Sequence, residues 1–238
     1  MKRATLATFA AALLLLPLAL VACGGDDEEA AAPAATTAAE TETHSMDDMG
    51  GEAAGISSDA ADLRVTLNRL LGEHALLAMF ATQKGLGGEQ DFEQIAGALD
   101  ANSVDIADAI GSVYGDEAAQ QFLDGDLLWR FHINQFVAYT QALAGDDEAG
   151  QQEAVDNLMG YVEAQAAFFA DATGADRDVL REGLEQHVLQ LKGQLDAYAA
   201  GDHAEAYRLA REAHAHMYET ADALAAAIVA QSPDKFGG

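Results

Sequence analysis

Four histidines stand where helical spacing gives them chemical meaning. His74, His132, His187 and His214 each have apolar neighbours at helical spacing: Leu71 and Leu77, Leu128 and Phe136, Leu184 and Leu191 around the first three. Each imidazole therefore points inward or lies at the edge of an apolar face. Neutral imidazoles from different helices can converge on Zn, Cu or Fe, as side chains do in bundle metalloproteins. Glu73, Glu185, Glu212 and Glu219 lie close enough in sequence to serve as outer acceptors or extra ligands. A second reading is structural. Asn102 and Asn157 occupy, in two earlier segments, the place that His214 takes in the last, so His74–Asn102 and His132–Asn157 would be buried polar pairs that fix register.

The elements that must position these residues follow from a repeated layout. Thirteen residues separate His187 from Gly201, and twelve separate Gly201 from His214. At a rise of 1.5 Å per residue both legs are roughly 20 Å long, so two antiparallel helices carry their histidines at one height. His74, Gly88-Glu89 and Asn102 repeat the plan, as do His132, Gly145-Asp146 and Asn157. The leading histidines are 58 and 55 residues apart, and each follows a leucine by three or four positions. Three αα-hairpins result. Glycine takes the left-handed position that ends one helix, and the acid that follows starts the next.

Helices are expected over about 59–84, 90–112, 117–144, 147–172, 177–200 and 203–231, with Gly125 as the place for a bend in the third. Leu63, Leu67, Leu70, Leu71, Leu77 and Phe80 form the expected apolar face of the first. Ser58 and Asp176 read as N-caps. The fold class is all-α, an up-and-down bundle of about six helices over residues 58–232, with a tail over 233–238. His203 and His216 read as surface residues, and Trp129 as core.

The N-terminus points outside the cytoplasm. Lys2 and Arg3 precede an apolar run from Leu6 to Ala22. That run is short for a membrane span and suits a signal peptide over residues 1–22. Leu20-Val21-Ala22-Cys23 resembles the lipobox of bacterial lipoproteins, which implies lipidation at Cys23 and a location on the extracytoplasmic face of the membrane. Cys23 is the only cysteine, so disulfides and thiolate catalysis are excluded from the mature chain. Residues 23–57 are low in large apolar groups and read as a disordered acidic tether. Within it, His44, Met46 and Met49 resemble the Met/His segments of extracytoplasmic copper proteins.

The formal charge is −28, and loss of Lys2 and Arg3 with the signal takes it to −30. Such a surface repels nucleic acid and favours cations or a cationic envelope protein as partner. Gly-x-Ser-x-Gly and a phosphate-binding glycine loop are missing, so no enzyme is expected. Glu-x-x-His and His-Glu-x-x-His are missing too, as is the Gly-x-His-x-x-Glu signature of imelysin-like iron-uptake lipoproteins.

Leu184-Glu185-Gln186-His187, Gly201-Asp202, His214 and Ala221-Asp222-Ala223-Leu224, with Gly72-Glu73-His74 and Tyr114-Gly115, carry a likeness. Over about residues 60–235 the chain resembles an uncharacterised family of exported, lipid-anchored bacterial helical-bundle proteins. The resemblance implies an exported helical bundle and no particular activity. Two functions are expected: a lipid-anchored extracytoplasmic protein that binds a transition metal, copper favoured, or a non-catalytic envelope scaffold whose His and Asn residues are structural.

Overall fold

A computed structural model describes residues 58–236 of the chain, and every element among them is helical. In chain order they are α1 (Asp59–Gly87), α2 (Phe92–Tyr114), α3 (Asp116–Asp124), α4 (Trp129–Ala144), α5 (Glu148–Thr173), α6 (Arg177–Ala199) and α7 (His203–Gln231), followed by a 3₁₀ turn at Pro233–Lys235. The proposed signal, Cys23, the tether and His44, Met46 and Met49 lie outside the described residues. No helix among the described residues is long and apolar enough to cross a membrane.

Helix starts follow their side chains. Ser58 Oγ accepts from the Ala61 amide, and Asp176 Oδ1 accepts from the amides of Asp178 and Val179. Asp147 and Asp202 cap α5 and α7 in the same way, through Gly150 and Glu205. Each such cap satisfies an amide that the first turn leaves without a helical partner. Between α1 and α2, and between α6 and α7, Gly88 and Gly201 adopt left-handed backbone as expected. Between α4 and α5 the expectation shifts by one residue. Gly145 is right-handed and Asp146 takes the left-handed turn at φ 54°, a conformation that aspartate tolerates better than most residues.

The hairpins α1–α2, α4–α5 and α6–α7 pack around α1, which meets α2, α4, α6 and α7. That central position explains one wrong expectation. The buried residues of α1 include Leu63, Leu67, Leu70, Leu71, Ala75, Ala78 and Met79, while Phe80 is half exposed. Leu63, Leu67, Leu70 and Leu71 are buried and Leu77 packs against the core as expected, so the stripe fails only at Phe80, where small Ala75, Ala78 and Ala81 supply the buried face instead. The C-terminal tail is also not free: the Lys235 ammonium donates to the Val113 carbonyl, and Phe236 packs on the main core.

The third expected helix is two helices, α3 and α4, broken over residues 125–128. A Cβ at Gly125 would stand 2.4 Å from the Gln121 carbonyl oxygen, which excludes a side chain there. Leu127 follows with φ 56°, strained for a leucine. The break resets the helical phase just ahead of Leu128, Trp129 and His132, all of which are buried.

Candidate metal centre

Three of the four expected histidines meet. His74 on α1, His132 on α4 and His187 on α6 each offer a nitrogen, and these atoms all lie within 4.8 Å of one another. Each histidine comes from the leading helix of its hairpin. The leucines that precede them, Leu70, Leu71, Leu128 and Leu184, are buried with them. Burying a leucine stabilises by roughly 1.5–3 kcal/mol, so this layer holds the three helices at a common level. The sequence repeat is thus a register device that puts three imidazoles at one point.

Aromatic rings wall the site. The Trp129 ring lies 4.7 Å from His74 and 4.9 Å from His132, and its Nε1–H donates to Ser103 Oγ at 3.1 Å. The indole is therefore a satisfied core residue that also fixes two ligand candidates. Tyr161 stacks on His132 at 4.4 Å. Its role had no signal in the sequence beyond a helical position one turn after Asn157.

The imidazoles are buried and short of partners. Both ring nitrogens of His74, and Nδ1 of His132 and of His187, are buried and make no hydrogen bond. Burial lowers the His74 pKa to about 3, with the nearby charge of His187 adding to the effect. Burial likewise lowers His187 to about 4, with His216 contributing. His132 is held well below its usual value by burial and then by His74 and His187, with the Trp129 backbone pulling weakly the other way. All three rings are neutral at physiological pH, the state in which imidazole binds a metal.

His214 does not join them. It is half-buried on α7 against Tyr218, with ring centroids 5.0 Å apart. Height along a helix leaves the face undetermined. His216, two residues on and about 200° around the helix, is the residue that turns inward, where its Nε2 pairs with the Gly183 carbonyl at 2.8 Å. His216 is thus buried rather than on the surface, whereas His203 is exposed as expected.

The expected His–Asn pairs also take other forms. Asn102 is buried, but its Nδ2 donates to the Leu70 carbonyl at 3.1 Å and to Glu73 at 3.2 Å. Asn157 donates to Gln135 at 3.0 Å. Both asparagines bridge neighbouring helices of a hairpin without engaging a histidine. Gln165 and Gln194, unremarked in the sequence, are fully buried with both side-chain polar atoms unpartnered.

Searches against known protein families, curated proteins and solved structures return no match to this chain. The chemistry therefore rests on the site. Its capacity is that of three neutral nitrogen donors from three helices, closed in by tryptophan and tyrosine.

Proposed function

We propose that this is a lipid-anchored extracytoplasmic protein that binds a transition metal, copper favoured, through His74, His132 and His187. One observation carries the reading: three buried imidazoles converge with nitrogens that find no partner in the protein. Buried polar groups are ordinarily paired, and each one left unpaired costs about 1–3 kcal/mol. A metal ion supplies the missing partner to all three at once.

With metal–nitrogen bonds of about 2.0–2.1 Å, ligand nitrogens lie roughly 3.3–3.5 Å apart. The nitrogens, now within 4.8 Å of one another, then have to close by up to about 1.4 Å. The donor set bears on the metal's charge. The triad contains no carboxylate, so a bound divalent ion would keep its full charge in a buried, apolar setting. A monovalent ion suffers less, and imidazole is a good ligand for copper. Cu(I) is therefore preferred to Zn or Fe. The role assigned is binding, with no catalytic step.

Thermal melts of chelator-treated protein with added Cu(I), Cu(II), Zn or Fe test the reading. At a free metal concentration of about 100 times Kd, mass action adds about 2.7 kcal/mol of stability. His132→Ala removes that increment, and His214→Ala keeps it. No stabilisation by any of these metals sinks the proposal. The anchor has its own check: Cys23→Ser should move the protein from the membrane fraction to the medium, and unchanged retention of a cleaved Ser variant rules it out.

A further inference from the structure

A cavity of about 430 Å³ runs between α1, α2 and α4. Exposed Glu89, Gln90, Glu93 and Gln141 line its outer end, and buried His74 and His132 line its inner end. Ala78, Ala81, Phe92, Leu99, Phe136 and Val137 supply apolar wall between them. Thr82 and Thr140 also line it, but their hydroxyls are committed to their own helices, donating to Ala78 at 2.9 Å and to Phe136 at 2.7 Å. The polar chemistry at the inner end therefore comes down to the two imidazoles. His74 has both nitrogens buried and unpartnered, and His132 has its Nδ1 in that state.

We propose that this cavity is a binding site for a small, uncharged organic molecule. Its apolar body fills the space between α1, α2 and α4, and one nitrogen or oxygen group reaches His74 and His132. Small-molecule sites of about 300–1,000 Å³, mostly apolar with a few placed polar groups, have this character. Charge narrows the class. No lysine or arginine lines the cavity, so a carboxylate or phosphate would pass Glu89 and Glu93 and find no counter-charge inside. A cation would meet those acids at the entrance but lose its hydration against alanine, leucine and phenylalanine. The site goes beyond the metal reading and stands without it. In metal-free protein the group hydrogen-bonds an imidazole, and on a metal-loaded triad the same approach leads to the metal.

The probe is 4-phenylimidazole at about pH 8, where it is uncharged, titrated by calorimetry into chelator-treated full-length protein. One saturable site per chain is expected. Ala81→Phe and Ala96→Phe each narrow the cavity, from a buried position and from a partly exposed one. Each should weaken binding at least tenfold while helical circular dichroism is kept. Ring ¹⁵N resonances of His74 and His132 should move on titration, and those of His203 should not. Phenylacetate, similar in size but anionic, should bind at least tenfold more weakly. Absence of saturable binding, affinity unchanged by both substitutions, motionless His74 and His132 resonances, or phenylacetate binding as well as the neutral probe would each overturn the proposal. Because no metal is present, a failed metal titration and a failed probe titration are separate results.

Discussion

Two polar levels of this bundle treat their side chains in opposite ways. At the seam between α1 and α7, Arg64 grips Asp222 with two bonds of 2.7 and 2.5 Å, and Asn68 donates to the same carboxylate at 2.6 Å. The groups satisfy one another, and the pair is well exposed to water. In the interior, His74, His132 and His187 approach closely, yet four of their nitrogens bond to nothing. The seam is complete as folded and contributes to folding directly. The interior leaves these nitrogens unpaired at a cost in stability, and on the proposed reading that cost keeps them available to a ligand. The contrast separates polar groups that hold the fold from polar groups that the fold holds ready.

Acid should break the contrast most sharply. The triad's pKa values are depressed by folding, so the unfolded chain takes up protons first as pH falls below about 6.5. The stability is then fully present above about pH 7 and is lost as pH falls toward the folded values, about 3 for His74 and about 4 for His187. At about 1.4 kcal/mol per unit, protonation of the unfolded state between pH 7 and 4.5 removes roughly 2–3 kcal/mol for each of His74 and His187, and His132, also lowered, acts in the same direction. Asp222, held near 2 first by its bond to Arg64, acts in a lower window: its contribution is present above about 3.8 and lost toward 2. Urea unfolding of metal-free protein across that range should show the histidine slope, reduced by about a third in His74→Leu. A flat profile from pH 7 to 4.5 would mean that the rings are not held neutral.

A smaller effect of unusual sign comes next. At neutral pH, without metal, His74→Leu should raise stability by about 1–3 kcal/mol, because an apolar side chain of similar volume replaces two unpaired nitrogens. The same variant should lose any response to metal. Destabilisation of similar size would instead make the imidazole a structural group with partners of its own.

The smallest change is expected at the seam. Asp222→Asn leaves Arg64 without its ion pair, and exposed pairs contribute little and are screened by salt. Its melting temperature should fall slightly at low ionic strength and approach wild type at about 1 M salt. A deficit that ignores salt would show that the seam works through packing rather than charge.

How much of this was written in the sequence depends on the kind of signal. The caps at Ser58, Asp176 and Asp202 and the left-handed Gly88 and Gly201 are local, so neighbouring residues alone predict them. The hairpins follow from apolar periodicity and the recurring spacing of leucine, histidine and glycine, and that spacing was enough to bring His74, His132 and His187 to one level. It was not enough for His214 and His216, because rise along a helix is set by residue count while the facing direction is set by what packs against the helix. The break at residues 125–128 was half legible, in Gly125, but the strained Leu127 that re-aims Trp129 and His132 was not.

The sequence by itself determined an all-helical chain, its turns, and the heights of its histidines, because hydrogen bonds and turns within a helix involve residues only a few positions apart. Only the tertiary structure decided which imidazoles meet, that Trp129 and Tyr161 enclose them, that Asn102 and Asn157 bond elsewhere, and that a cavity reaches His74 and His132. Those outcomes depend on the rotation of each helix about its axis and on α1 lying among four others, quantities settled by packing between residues far apart in the chain.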